Sequence, residues 1–138
     1  MIEYVFSVER VPDEVTGPSS LTGFIEGGFS IYVNGNKVFE EPEFLIYEFF
    51  KALDSWVKGQ KLTGDNFYFA SMDYEEEPVV AFNYDAELVQ YNFDSVFKLG
   101  EAVFDIDDII ESHAVFAANL REQLENRFNL FLEKNLQK

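Results

Sequence analysis

The chain has no cysteine, a single histidine (His113) and only 10 lysines and arginines against 26 aspartates and glutamates. Without cysteine there are no disulfides, thiolate metal sites or thiol nucleophile, a composition compatible with a reducing compartment. One histidine excludes a histidine-rich metal centre and leaves one candidate base for a nucleophile–histidine–acid triad. Neither G-x-x-x-x-G-K-[ST] nor G-x-G-x-x-G occurs, and Gly23 and Gly27-Gly28 lack both the spacing and the nearby lysine of a phosphate-cradling loop. No stretch approaches the roughly 18 uninterrupted apolar residues of a membrane span. Met1 opens a strand-like segment without a basic leader, so the expectation is a soluble, cytoplasmic protein with no membrane contact.

What the chain does have is aromatic mass. Sixteen phenylalanines, seven tyrosines and a tryptophan in 138 residues, with 47% hydrophobic content, exclude a disordered acidic chain and supply one domain, residues 1–138, with a core. The organising stretch is 42–58, an amphipathic helix with Pro42 at its first position and Lys58-Gly59 as its stop. Its apolar stripe is Ile46, Phe49, Phe50, Leu53, Trp56 and Val57.

Strand signals lie on both sides of this helix. Ile2, Tyr4, Phe6 and Val8 alternate with Glu3, Val5, Ser7 and Glu9, the period of a strand with one buried face. The segment 12–23 has turn composition and reads as an exposed loop. Asn34-Gly35 predicts a type I′ hairpin between 24–33 and 37–40, and Gly27-Gly28 marks a bulge or a close backbone approach. Segments 67–72, 79–84 and 88–93 predict a three-strand meander, and 96–104 a weaker further strand. Asp105 reads as the N-cap of a helix running to about 136, with the stripe Ile110, His113, Ala117, Leu120, Leu124, Phe128 and Phe131, widened by Ile109, Phe116 and Leu132. The fold class is therefore α+β, a mainly antiparallel sheet of about six or seven strands packed against a central helix and a long C-terminal helix.

The charge is concentrated in the middle of the chain: eighteen acids against four bases lie between Glu40 and Glu111. From Lys61 to Lys98 no basic residue intervenes, while eight acids do. The candidate partner-binding surface is the turn Asp73, Tyr74, Glu75, Glu76 and Glu77, with Asp85 and Glu87 at what reads as a neighbouring turn. A solvated acidic turn is the plainer alternative. Gathered carboxylates repel one another and nucleic acid, and attract basic proteins. Asp105-Ile106-Asp107-Asp108 suggests a hard-cation site, yet a helix start accounts for each of these residues, so no metal or cofactor is expected. His113, in the apolar stripe, reads as a structural histidine, and no catalytic residues are assigned.

The run Phe39, Pro42, a helix ending around Leu53 and Trp56, then Tyr68-Phe69-Ala70-Ser71-Met72-Asp73-Tyr74-Glu75-Glu76-Glu77-Pro78 and a strand, resembles small uncharacterised bacterial proteins encoded beside polymorphic toxins. The resemblance spans roughly residues 23–94. It implies an immunity protein: a cytoplasmic, non-enzymatic inhibitor of a cognate toxin domain, often a basic nuclease. It carries over no partner-contacting residues. Two other readings remain open at this point, an acidic nucleic-acid mimic and a small enzyme or ligand-binding domain built on His113.

Overall fold

The computed structural model describes residues 1–10, 25–59, 64–71 and 74–128. In chain order they form β1 (Ile2–Arg10), β2 (Glu26–Val33), β3 (Asn36–Leu45), α1 (Ile46–Gly59), β4 (Phe67–Phe69), β5 (Val80–Asp85), β6 (Gln90–Asp94), β7 (Val103–Phe104) and α2 (Ile106–Phe128). Two antiparallel sheets result, one ordered β1-β2-β3 and the other β4-β5-β6-β7. They meet where Phe39 bridges Lys98 and the Leu99 N–H donates to the Val38 carbonyl at 2.8 Å. The α+β class is thus the observed one, with seven strands in two sheets.

The hairpin forms where its turn chemistry places it. Asn34 and Gly35 hold φ of 51° and 85°, the two positive angles of a type I′ turn. Gly27 has no room for a side chain, since a Cβ there would fall 1.8 Å from the Ser7 carbonyl oxygen. The β2–β3 register slips between Gly27 and Phe29, so that Pro42 and Glu43 stand opposite Gly28. That bulge corrects the predicted helix start. Pro42 lies inside β3, at a position where a missing N–H breaks no ladder bond. The strand continues to Leu45 because pairing with β2 buries Phe44 and Leu45, and α1 begins only at Ile46, whose N–H donates to the Ile25 carbonyl at 3.1 Å.

Other boundaries move for similar reasons. Leu88, predicted to open a strand, sits in the turn before β6, because the Asp85 carboxylate accepts the N–H groups of Glu87 and Leu88 at 3.0 and 3.2 Å. The expected strand over 96–104 contracts to the two residues of β7 and the Lys98 bridge. Asp105 caps α2, its Oδ1 accepting the Asp108 N–H at 2.8 Å. Most of the predicted stripe of α2 faces inward: Ile109, His113, Phe116, Leu120 and Leu124 are buried, joined by Ser112, whereas Ile110 is exposed. The loop at 12–23, Met72, Asp73 and the helix beyond 128, with Phe131 and Leu132, lie outside the described residues.

Both helices cover the same side of the paired sheets. Phe49 of α1 touches Tyr4, Phe29, Phe44, Phe67, Phe69 and Phe116 at ring separations of 5.3–6.2 Å, so one ring ties both sheets and α2 together. Trp56 extends this layer over Phe67, Phe82 and Tyr91. Aromatic contacts of this kind add about 0.5–1.5 kcal/mol each beyond the area they bury.

Candidate interaction surface

The second sheet turns its aromatic rows, Phe67–Phe82–Phe93 and Tyr84–Tyr91–Phe104, toward the helices. Strand alternation then sends Tyr68, Ala81 and Asp94 in one row, Asn83, Asn92 and Val103 in the next, and Asp85 and Gln90 in a third, to the opposite face. That face is only partly open, since Ala81 in its first row is buried. Tyr68, Asn92 and Val103 are exposed on it.

The predicted acidic residues border this face, but not side by side. Glu75, Glu76 and Glu77 precede β5 and are exposed, whereas Asp85 and Glu87 follow it. Successive turns of a meander alternate between the ends of a sheet, so the two turns are not neighbours. The five residue steps of β5 alone separate them by about 17 Å. Asp94 completes the first end: it faces Ala81 across the ladder, accepts the Ser95 N–H at 2.9 Å, and lies 3.9 Å from the Lys98 ammonium. Lys98 is itself matched by Glu101 at 2.9 Å, and that bond holds the lysine above its ordinary pKa. Lys98 is therefore already neutralised at this end.

The aromatic assigned to this turn changes. Tyr74 is half-buried, its ring on Phe97 at 5.6 Å and its hydroxyl donating to the Glu43 carbonyl at 3.3 Å, so it anchors the turn to β3. The exposed ring beside the acids is Tyr68, 55% exposed, whose hydroxyl donates to Glu77 Oε1 at 2.6 Å. The Glu77 carboxylate pushes the Tyr68 pKa up. The period of β4 carried the signal for Tyr68, since it lies between two inward phenylalanines. Asp73 lies outside the described residues.

At the other end Asp85 is occupied in holding its own turn, and the tip it shapes carries Leu88 and Val89, 65% and 66% exposed. Val89 adopts φ of 52°, a left-handed conformation that β-branched residues rarely take. Sequence reasoning placed both residues in a strand and missed them as surface.

His113 does not form a nucleophile pair. Its Nε2 is 2.8 Å from Asp54 Oδ1, its ring stacks on Phe50 at 5.5 Å, and it is 6% exposed. The adjacent Ser112 hydroxyl instead donates to the Ile109 carbonyl at 3.0 Å. Burial opposes ionisation of Asp54, but Lys58, at 2.8 Å from Oδ2, and His113 outweigh it and hold the carboxyl below its usual range. This group clasps α1 to α2. Among the described residues, no three histidine or acidic side chains converge as a metal site. No helix in the described residues is long and apolar enough to cross a membrane.

Fold and surface together define a small acidic α+β protein whose β4–β7 sheet carries carboxylates at both ends of its outer face. The chain belongs to the family described as Domain of unknown function (DUF7878), whose model matches residues 4–126. Neither a curated protein nor a solved structure matches it.

Proposed function

We propose that the protein is a cytoplasmic, non-enzymatic inhibitor of the immunity type, which binds a basic partner, a cognate toxin domain, over the outer face of the β4–β7 sheet. The observation that carries this reading is the composition of that face. Exposed carboxylates at Glu75–Glu77 and the half-buried Asp94 stand at one end and Glu87 at the other, with Tyr68, Asn92 and Val103 between them. Carboxylates at the rim accelerate encounter with a cationic groove, and tyrosine and apolar contacts at the centre hold the docked complex. The partly neutral centre favours this over a nucleic-acid mimic, which needs carboxylates spaced along its whole contact surface.

The test is capture from native lysate by the tagged protein at low and moderate salt. One stoichiometric basic protein that persists in salt and loses its activity when bound supports the reading. A crowd of DNA-binding proteins that elute together overturns it in favour of mimicry. In the complex, charge reversal of Glu75, Glu76 and Glu77 to lysine is expected to slow association by about tenfold or more and flatten its salt dependence. Stopped-flow association at two ionic strengths measures this, and an unchanged rate removes the turn from the interface.

A further inference from the structure

The outer edge of β1 has hydrogen-bonding groups to offer. The Asn34 N–H donates to the Met1 carbonyl at 3.0 Å, which sets the ladder so that odd-numbered residues face β2. Ile2, Tyr4, Phe6 and Val8 therefore turn their main-chain groups outward. At the far end of this edge a side chain stands in for a strand: Gln123 Oε1 accepts the Val8 N–H at 2.9 Å, and its Nε2 donates to the Phe6 carbonyl at 3.0 Å. Toward Ile2 and Tyr4 the edge has no such partner among the described residues. Alongside lies a cleft of about 390 Å³ between residues 3–6 of β1 and Asn119, Glu122 and Gln123 of α2.

We propose that this edge and cleft form a strand-addition site for an extended, basic segment of a partner protein. An unpaired strand edge is complemented by another extended backbone, and a helix beside the edge supplies a wall for alternate side chains. Charge selects the occupant. Glu3 and Glu122 are exposed on the two sides of the cleft, Val5 on the β1 side is 48% exposed, and the chain carries a net −16, so lysine or arginine at alternate positions meets a carboxylate. The site lies across β2 and β3 from the β4–β5 turn, and it stands whether or not the immunity reading does.

The experiment titrates the isotope-labelled full chain with an acetylated, amidated heptapeptide of alternating lysine and threonine, followed by amide NMR. Expected are shifts at the Ile2, Tyr4 and Phe6 amides and at the Gln123 side chain, with slowed exchange of the Tyr4 and Phe6 amide protons. The same peptide N-methylated at alternate residues keeps its charge but loses main-chain donors, and is expected to bind about tenfold more weakly or worse. Equal binding of both peptides, shifts confined to residues 75–77, or no binding at millimolar peptide overturns the proposal. So does protection of these amides that grows with protein concentration without peptide, which makes a second copy of the chain the occupant.

Discussion

Val89 holds a conformation its side chain opposes. A β-branched residue in the left-handed region costs on the order of 1 kcal/mol, and its 66% exposure returns little of that through burial. Val89→Asn keeps a side chain but tolerates this φ, so the variant is expected to gain about 1 kcal/mol in urea unfolding. No gain would place Val89 in a contact that offsets the strain. Gly27 presents the reverse case. Its missing Cβ lets β1 approach, and with the Ser7 carbonyl 1.8 Å from that position, Gly27→Ala must part the strands. A loss of about 2 kcal/mol or more is expected by the same measurement, whereas Gly59→Ala, where a Cβ meets nothing, serves as the control.

Between elements, the clasp of Asp54, Lys58 and His113 makes a pH-dependent contribution. The folded carboxyl sits below its ordinary value despite the cost of burial, so its stabilisation is fully present above the unfolded pKa of about 4 and is lost as pH falls through the lower folded value. Asp54→Asn is expected to cost about 1 kcal/mol at neutral pH, with the gap to the parent chain narrowing as pH falls below about 4. A gap independent of pH would mean that shape rather than charge holds the pair. This clasp marks where the sequence stopped being legible. Period and turn chemistry revealed β1, the Asn34-Gly35 hairpin, the Asp105 cap and the body of α1, because each is decided by residues adjacent in the chain. Pro42 misled because a helix start and a strand bulge both tolerate a missing N–H, and only pairing with Gly28 distinguishes them. The Asp54–His113 contact joins residues 59 apart and left no local trace. The acidic turns were legible as turns, but their placement at opposite ends of β5 is a property of the meander. Tyr74 is half-buried and Tyr68 exposed because exposure depends on what the neighbouring strand brings.

At the scale of the whole molecule, 26 acids and 10 bases share the surface of a 16.0 kDa chain, and the described ion pairs engage several of the few cations with carboxylates beside them. The remaining carboxylates repel one another across distances comparable with the Debye length, which shrinks from about 30 Å at 0.01 M salt to about 10 Å at 0.1 M. Screening therefore stabilises the free protein, and its thermal midpoint is expected to rise with sodium chloride over this range. Neutralising the end of the outer β4–β7 face with Glu75→Gln, Glu76→Gln and Glu77→Gln removes part of that repulsion. The variant is expected to melt higher than the parent at low salt and to respond less to added salt. Calorimetry at the two ionic strengths measures both. If the triple variant melts lower, these carboxylates hold the fold, Glu77 through Tyr68 first among them, and the turn cannot be a surface left in repulsion for a partner to neutralise. If it melts higher, the free protein retains a strain that a cationic partner relieves, and the same substitutions that stabilise the chain should weaken its complex.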